Sequence, residues 1–148
     1  MNFTLIQKNL SKDYVPIVLN VFNKNKTWVK ESITKNCKLT SDIKDKLPNE
    51  LIKEITEPFF SSDLLHYAHV LKFSSTGVLD YHDHKLFETF SFVLYLDNVG
   101  GTVFKTDEDE IFIHSRPNRL VLFDSKIMHK AINDGKERMI VGGGIIKK

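Results

Sequence analysis

The chain holds one cysteine, Cys37, so no internal disulfide can brace it, and a reducing compartment is expected. Arginine is almost as scarce: Arg116, Arg119 and Arg138 stand alone among many lysines. Where lysine is the default surface charge, an arginine tends to have a specific anionic partner. No apolar run approaches the length of a bilayer span, and Met1-Asn2-Phe3-Thr4 does not open a signal peptide. A large charge of one sign is also missing, since the formal net charge is only +2, which removes a broad basic field for nucleic acid. These absences leave a cytoplasmic protein as the expectation. What is present suits a folded core: 41% hydrophobic and 27% charged residues over 148 positions fit one domain without staples.

The N-terminal part, residues 1–60, reads as a small helical layer. Residues 3–7 alternate weakly and suit a short strand. Ser11-Lys12-Asp13 supplies N-cap chemistry for a helix to about Asn23, with Pro16 tolerated in its first turn. Residues 27–38, rich in Lys and Asn around Trp28, read as helix or irregular. Residues 41–47 and 48–57 suit two short helical pieces; in the second, Leu51, Ile52 and Ile55 form an apolar stripe that Pro58 ends.

From residue 61 the pattern changes. Short apolar or alternating runs at 65–73, 78–84, 88–96, 102–105, 110–114, 119–124, 128–132 and 137–146 are separated by turn signals. Ser74-Ser75-Thr76-Gly77, Asp97-Asn98-Val99-Gly100-Gly101 and Asn133-Asp134-Gly135 are the clearest. About eight closely spaced short strands predict an antiparallel sandwich or barrel. The expected fold is therefore mainly β within an α+β order, a jelly-roll core over 61–148 with helices packed on one outer face.

Chemistry concentrates at Tyr81-His82-Asp83-His84. On a strand, residues i and i+2 leave from one face with Cα atoms roughly 7 Å apart, so the two imidazoles would converge and Asp83 would point away. Two such imidazoles await a third metal ligand. An isolated pair is more often a polar strand end, so the rest of the chain decides. Three features favour metal. The apolar strand Pro117-Asn118-Arg119-Leu120-Val121-Leu122-Phe123-Asp124-Ser125 leads into Met128-His129. Tyr95-Leu96-Asp97 is followed by Gly100-Gly101-Thr102-Val103-Phe104. Arg138 lies nine residues after His129, past the Gly135 turn, where a hairpin would return it beside the His129 strand.

With these segments in this order, residues 65–146 resemble the Fe(II)- and 2-oxoglutarate-dependent dioxygenases, particularly the small prolyl-4-hydroxylase-like branch. The resemblance implies a double-stranded β-helix, Fe(II) and 2-oxoglutarate as cofactors with ascorbate as a reductant, and hydroxylation of a small-molecule or peptidyl substrate. By position it implies that His82 and His129 are metal ligands and that Arg138 anchors the far carboxylate of 2-oxoglutarate. Ser91 falls where relatives turn a hydroxyl toward that cosubstrate.

Two departures stand out. The family's acidic ligand is replaced by His84, and Phe73 sits where many relatives carry a tyrosine that contacts 2-oxoglutarate. Three outcomes follow for the third ligand: His84 itself ligates, a twist or bulge brings in Asp83 or Glu88, or metal binding is lost and a non-catalytic jelly roll remains. Spacing favours His84. The chain also resembles the cupins through His82-x-His84-x-x-x-Glu88 with His129 and Asn133, which implies a metalloprotein without 2-oxoglutarate. The Gly-Gly segment, the Leu120–Ser125 stretch and Arg138 fit the oxygenases better.

Other residues carry blander expectations. His66 and His69 read as structural or edge residues, His114 as solvated, and the acidic run Asp107-Glu108-Asp109-Glu110 as a hairpin tip lacking calcium-loop spacing. The phenylalanines Phe87, Phe90, Phe92, Phe104, Phe112 and Phe123 read mostly as core.

Overall fold

The computed structural model describes residues 4–24, 28–29, 34–59, 64–86 and 88–146. Ten strands and two α-helices run in the order β1 (Leu5–Asn9), α1 (Val15–Lys24), β2 (Trp28–Val29), β3 (Thr34–Thr40), α2 (Asn49–Thr56) and β4 (Leu65–Leu79). Then come β5 (Phe90–Tyr95), β6 (Gly101–Lys105), β7 (Glu110–His114), β8 (Arg119–Asp124), β9 (Met128–Ile132) and β10 (Arg138–Ile145). They form an antiparallel seven-stranded sheet ordered β1-β8-β5-β10-β4-β3-β2 and a three-stranded sheet ordered β7-β6-β9. This is the two-sheet jelly roll the strand pattern predicts.

Alternation along the central strands explains the layering. Phe92, Leu94 and Leu96 of the β5 region, and Leu120 and Leu122 of β8, join Val18, Leu51 and Ile55 in a core between the large sheet and the helices. Val93, Tyr95, Val121 and Phe123 point the other way, into a second core with Phe104 and Ile113 of the small sheet. A sheet buried on both faces needs continuous apolar runs, which is why Phe92–Leu96 and Leu120–Phe123 show no polar interruption. The second core opens at one end into the cavity described below.

The helical layer is fixed locally. Asp13 Oδ1 accepts from the Val15 amide (3.1 Å), capping α1. Leu51 and Ile55, one turn apart, are both fully buried under α2. Asn118, with φ 72°, pins this layer to β8: it accepts from the Tyr14 amide (3.1 Å) and donates to the Lys12 carbonyl (2.6 Å).

Several expectations change. Besides the expected first strand and the helices, residues 1–60 hold two further strands, and Thr34–Thr40 of the supposed helical or irregular stretch is β3. Its lysines suit a strand near a sheet edge, where charge discourages further pairing, so their density is no mark of helix. The runs 65–73 and 78–84 are one strand to Leu79. Between them β3 advances from Lys35 to Cys37 while β4 retreats from Val78 to Phe73, so Ser74–Gly77 is a bulge and no chain-reversing turn. Asn36 (φ 55°) donates to Thr76 Oγ1 across it. Phe92, Phe104 and Phe123 are buried as expected, Phe112 is 43% exposed, and Phe87 lies outside the described residues. Thr106 and Asp109 close the acidic hairpin tip.

At the middle of the large sheet β10 carries Gly142-Gly143-Gly144, and two of these are forced by neighbours. A Cβ on Gly143 would lie 2.3 Å from the Tyr67 carbonyl, and one on Gly144 would lie 2.5 Å from the carboxyl carbon of Glu88.

Candidate metal centre

The chain leaves β4 after Leu79 and crosses beside β9, so the His-x-His pair is not on a regular strand as expected. His82 forms an isolated antiparallel bridge with His129: its amide donates to the His129 carbonyl (3.1 Å), and its carbonyl accepts from the His129 amide (2.9 Å). His84 lies in the following loop, its amide donating to the Ser125 carbonyl (2.9 Å). On the other side of β9, His129 is opposite Phe104 in register with β6. The backbone thus fixes His129 from both flanks.

One ring nitrogen from each of His82, His84 and His129 lies within 4.8 Å of the others. Among the described residues this is the one cluster of three or more possible metal-ligating side chains. The ring centroids are 4.1 Å apart for His82 and His129, 5.0 Å for His82 and His84, and 5.1 Å for His84 and His129. His82 Nδ1 donates to the Asp80 carbonyl (2.7 Å) and His129 Nδ1 to the Ile127 carbonyl (3.1 Å). A protonated Nδ1 leaves the Nε2 lone pair of the same ring available.

Electrostatics reinforces this. Burial holds His129 well below the ordinary histidine pKa, with repulsion from His82 and His84 adding to it. Burial also lowers His82, against the raising effect of its bond to the Asp80 carbonyl. Neutral imidazoles are the form that binds a metal ion. Phe123 meets the His129 ring edge-on (centroids 4.7 Å apart) and Phe104 lies nearly parallel to it (6.1 Å), which together help to bury it.

Asp83 and Glu88 do not join the cluster. The Asp83 carboxylate accepts from the Lys85 amide (3.3 Å) and pairs with Lys85 Nζ (3.9 Å). Glu88 sits behind His84, accepting from Tyr67 Oη and Ser91 Oγ at 2.5 Å each. The cupin-like pattern in the sequence therefore does not bring Glu88 into the histidine cluster. Asn133 turns away, donating to the carbonyls of Ser74 and Gly77.

A cavity of about 710 Å³ opens over the histidines, and its walls include Arg138, Ser91, Tyr67 and Thr102. His66 and His69, read from sequence as structural, also border it. Arg138 begins β10 opposite Phe73 and is 1% exposed. Its Nη2 reaches Thr102 Oγ1 at 3.5 Å, while Nε and Nη1 have no hydrogen-bond partner. The rings of Phe73 and Tyr95 flank the guanidinium at 5.5 and 5.6 Å. Burial pushes its pKa down, opposed by Tyr95, Asp97 and Asp134. Phe73, the sequence departure, is thus part of the arginine's cradle. Ser91 reaches the cavity wall with its hydroxyl committed to Glu88. Sequence reasoning gave no role to Tyr67 or Thr102; their only signal is strand position facing the same interior.

No protein-family model matches the chain, and no curated protein matches it. Solved structures do. A prolyl-4-hydroxylase from Pseudomonas putida is 17% identical with a TM-score of 0.65, the match covering 97% of this chain and 92% of that one. A prolyl hydroxylase from Trichoplax adhaerens, in complex with a hypoxia inducible factor oxygen degradation domain peptide fragment, is 16% identical with a TM-score of 0.64, covering 95% and 81%. HygX from Streptomyces hygroscopicus, with nickel and 2-oxoglutarate bound, is 12% identical with a TM-score of 0.70, covering 96% and 82%. At these identities the likeness is one of fold. The chain has the double-stranded β-helix found in iron- and 2-oxoglutarate-dependent oxygenases, as its motifs led us to expect.

Proposed function

We propose that this protein is an Fe(II)- and 2-oxoglutarate-dependent oxygenase in which His82, His84 and His129 hold the iron and Arg138 binds the cosubstrate's distal carboxylate. The observation that carries the reading is Arg138. A buried guanidinium with two unpartnered nitrogens beside a cavity is costly unless an anion completes it. The same cavity is lined by three converging imidazoles. A divalent ion suits those nitrogens, and a dicarboxylic keto acid suits an ion and an arginine sharing one chamber.

Iron with 2-oxoglutarate would supply the oxidising power for attack on an unactivated C–H bond, with succinate and carbon dioxide as co-products. The chain's own residues supply the rest. Arg138 orients the cosubstrate by a fork of parallel N–H bonds, with Thr102 beside it and Phe73 and Tyr95 holding the plane. Phe104 and Phe123 keep the site dry. Ser91, through Glu88, contributes to the wall next to the cosubstrate space. The substrate is a small molecule or a peptide segment entering past His66, His69 and Leu86, which is 85% exposed at the mouth. No described helix is long and apolar enough to cross a membrane.

The test is succinate formation by the full chain given Fe(II), 2-oxoglutarate and ascorbate under air, which needs no known substrate when turnover is uncoupled. Succinate that disappears in His129→Ala supports the proposal. Metal binding with no response to 2-oxoglutarate would point instead to a cupin-type metalloprotein, and no metal binding to a non-catalytic jelly roll.

A further inference from the structure

An imidazole that offers Nε2 to a metal must keep Nδ1 protonated, and that proton needs an acceptor. For His82 and His129 the acceptor is a backbone carbonyl. His84 differs: its Nδ1 faces Glu88 Oε1 at 3.5 Å and Tyr67 Oη at 3.4 Å. The Glu88 side chain is fully buried, and its surroundings are built to keep a carboxylate there. Tyr67 Oη donates to Oε1 and Ser91 Oγ to Oε2, each at 2.5 Å. The facing position on β10 is Gly144, where any Cβ would collide with the carboxyl group. The Glu88 amide donates to the His84 carbonyl (3.2 Å), folding Glu88 back behind that ring. Among the described residues His84 is its ion-pair partner, and no lysine or arginine pairs with it. A carboxylate buried without a cation is unfavourable unless a positive charge arrives nearby.

We propose that Glu88 is the positioning residue of the metal centre, fixing His84 with Nε2 toward the ion and returning, through that ring, the negative charge absent from position 84. This rests on the metal site proposed above. The charge count is simple. A divalent ion on two imidazoles and one carboxylate retains one positive charge; on three imidazoles it retains two. Glu88 at the far nitrogen of His84 restores the lower value one ring away. The histidine that departs from the acid-containing pattern and the buried glutamate four residues on then form one device.

The test is Co(II) affinity of the full chain, by competition with a chelator, in the parent and in Glu88→Gln. Glutamine keeps the shape and an acceptor oxygen but removes the charge, and the expected loss is about 10- to 100-fold. In a His84→Asp background, where the charge is back on the ion, the same substitution should change affinity by no more than about twofold. A glutamate that merely props up the fold would cost the same in both backgrounds. Nitrogen NMR of the Zn(II)-loaded parent gives a reading independent of any variant: His84 should bind through Nε2 and carry its proton on Nδ1. Equal Co(II) affinity in parent and Glu88→Gln, equal losses in the two backgrounds, or zinc on Nδ1 of His84 would each overturn the assignment. A parent that takes up no Co(II) would overturn the metal site itself. Should Glu88→Gln fail to fold, the zinc spectrum decides.

Discussion

Replacing Arg138 with methionine should separate what this side chain does for binding from what it does for folding. The guanidinium has two buried nitrogens without partners, each costing about 1–3 kcal/mol. Against that, its stacking on Phe73 and Tyr95 contributes about 0.5–2 kcal/mol per ring. The two effects nearly cancel, and methionine refills part of the volume. The ligand-free variant should therefore melt within about 8 °C of the parent, since 1 kcal/mol corresponds to about 2–4 °C at this size. Binding of 2-oxoglutarate should behave quite differently. Loss of a buried, charge-assisted fork costs about 2–5 kcal/mol, or roughly 30-fold to several-thousand-fold in affinity. The assay is thermal melting with Mn(II) in place of iron, with and without 2-oxoglutarate. At a concentration of about 100 times Kd the parent gains about 2.7 kcal/mol and the variant almost nothing. A variant that keeps the parent's 2-oxoglutarate shift would refute the anchor. One that unfolds far below the parent would show that Arg138 is there for the fold.

Acidification should weaken the metal-free protein. His129 and His82 have folded-state pKa values below the 6.5 of a free histidine. The unfolded chain therefore takes up protons first, so stability is full above about pH 7 and falls as the pH drops through 6.5, by up to about 1.4 kcal/mol per unit per histidine. Urea midpoints at two pH values check this, and His129→Gln should flatten the slope. Gly144→Ala should displace the Glu88 carboxylate, lowering stability by about 1–3 kcal/mol and Co(II) affinity with it; a thermal melt and a metal titration report the two. Asn118→Ala should cost about 2–4 kcal/mol in urea unfolding through two lost hydrogen bonds and a left-handed backbone, and Asn118→Gly should recover the backbone part.

The second half of the chain was legible because its strands are short, doubly buried and punctuated by Gly, Asn and Asp. Phe92–Leu96 and Leu120–Phe123 announce a sheet covered on both faces, and the turn at Asn133-Asp134-Gly135 has positive φ at Asp134 and Gly135. The three histidines could be grouped because type, order and spacing survive any local irregularity. The first half was less legible. β3 gains order from pairing with β4, so its Lys and Asn content carries no strand periodicity. Ser74–Gly77 has turn residues yet continues a strand, since a bulge and a turn use the same conformational freedom. The position of Glu88 behind His84 was hidden for another reason: its donors, Tyr67 and Ser91, sit on β4 and β5, which the sheet order sets on either side of β10.

The glycine run of β10 bears on what the chamber admits. Gly143 and Gly144 are crowded by Phe92 and Glu88, but a methyl at Gly142 would meet only Leu71 Cδ1, at an ordinary 3.4 Å. Gly142 also borders the chamber. Two of the three are closed to variation and the third is free, which makes it a dial: side chains of graded bulk there would shorten the room from its floor while leaving the histidines and Arg138 in place.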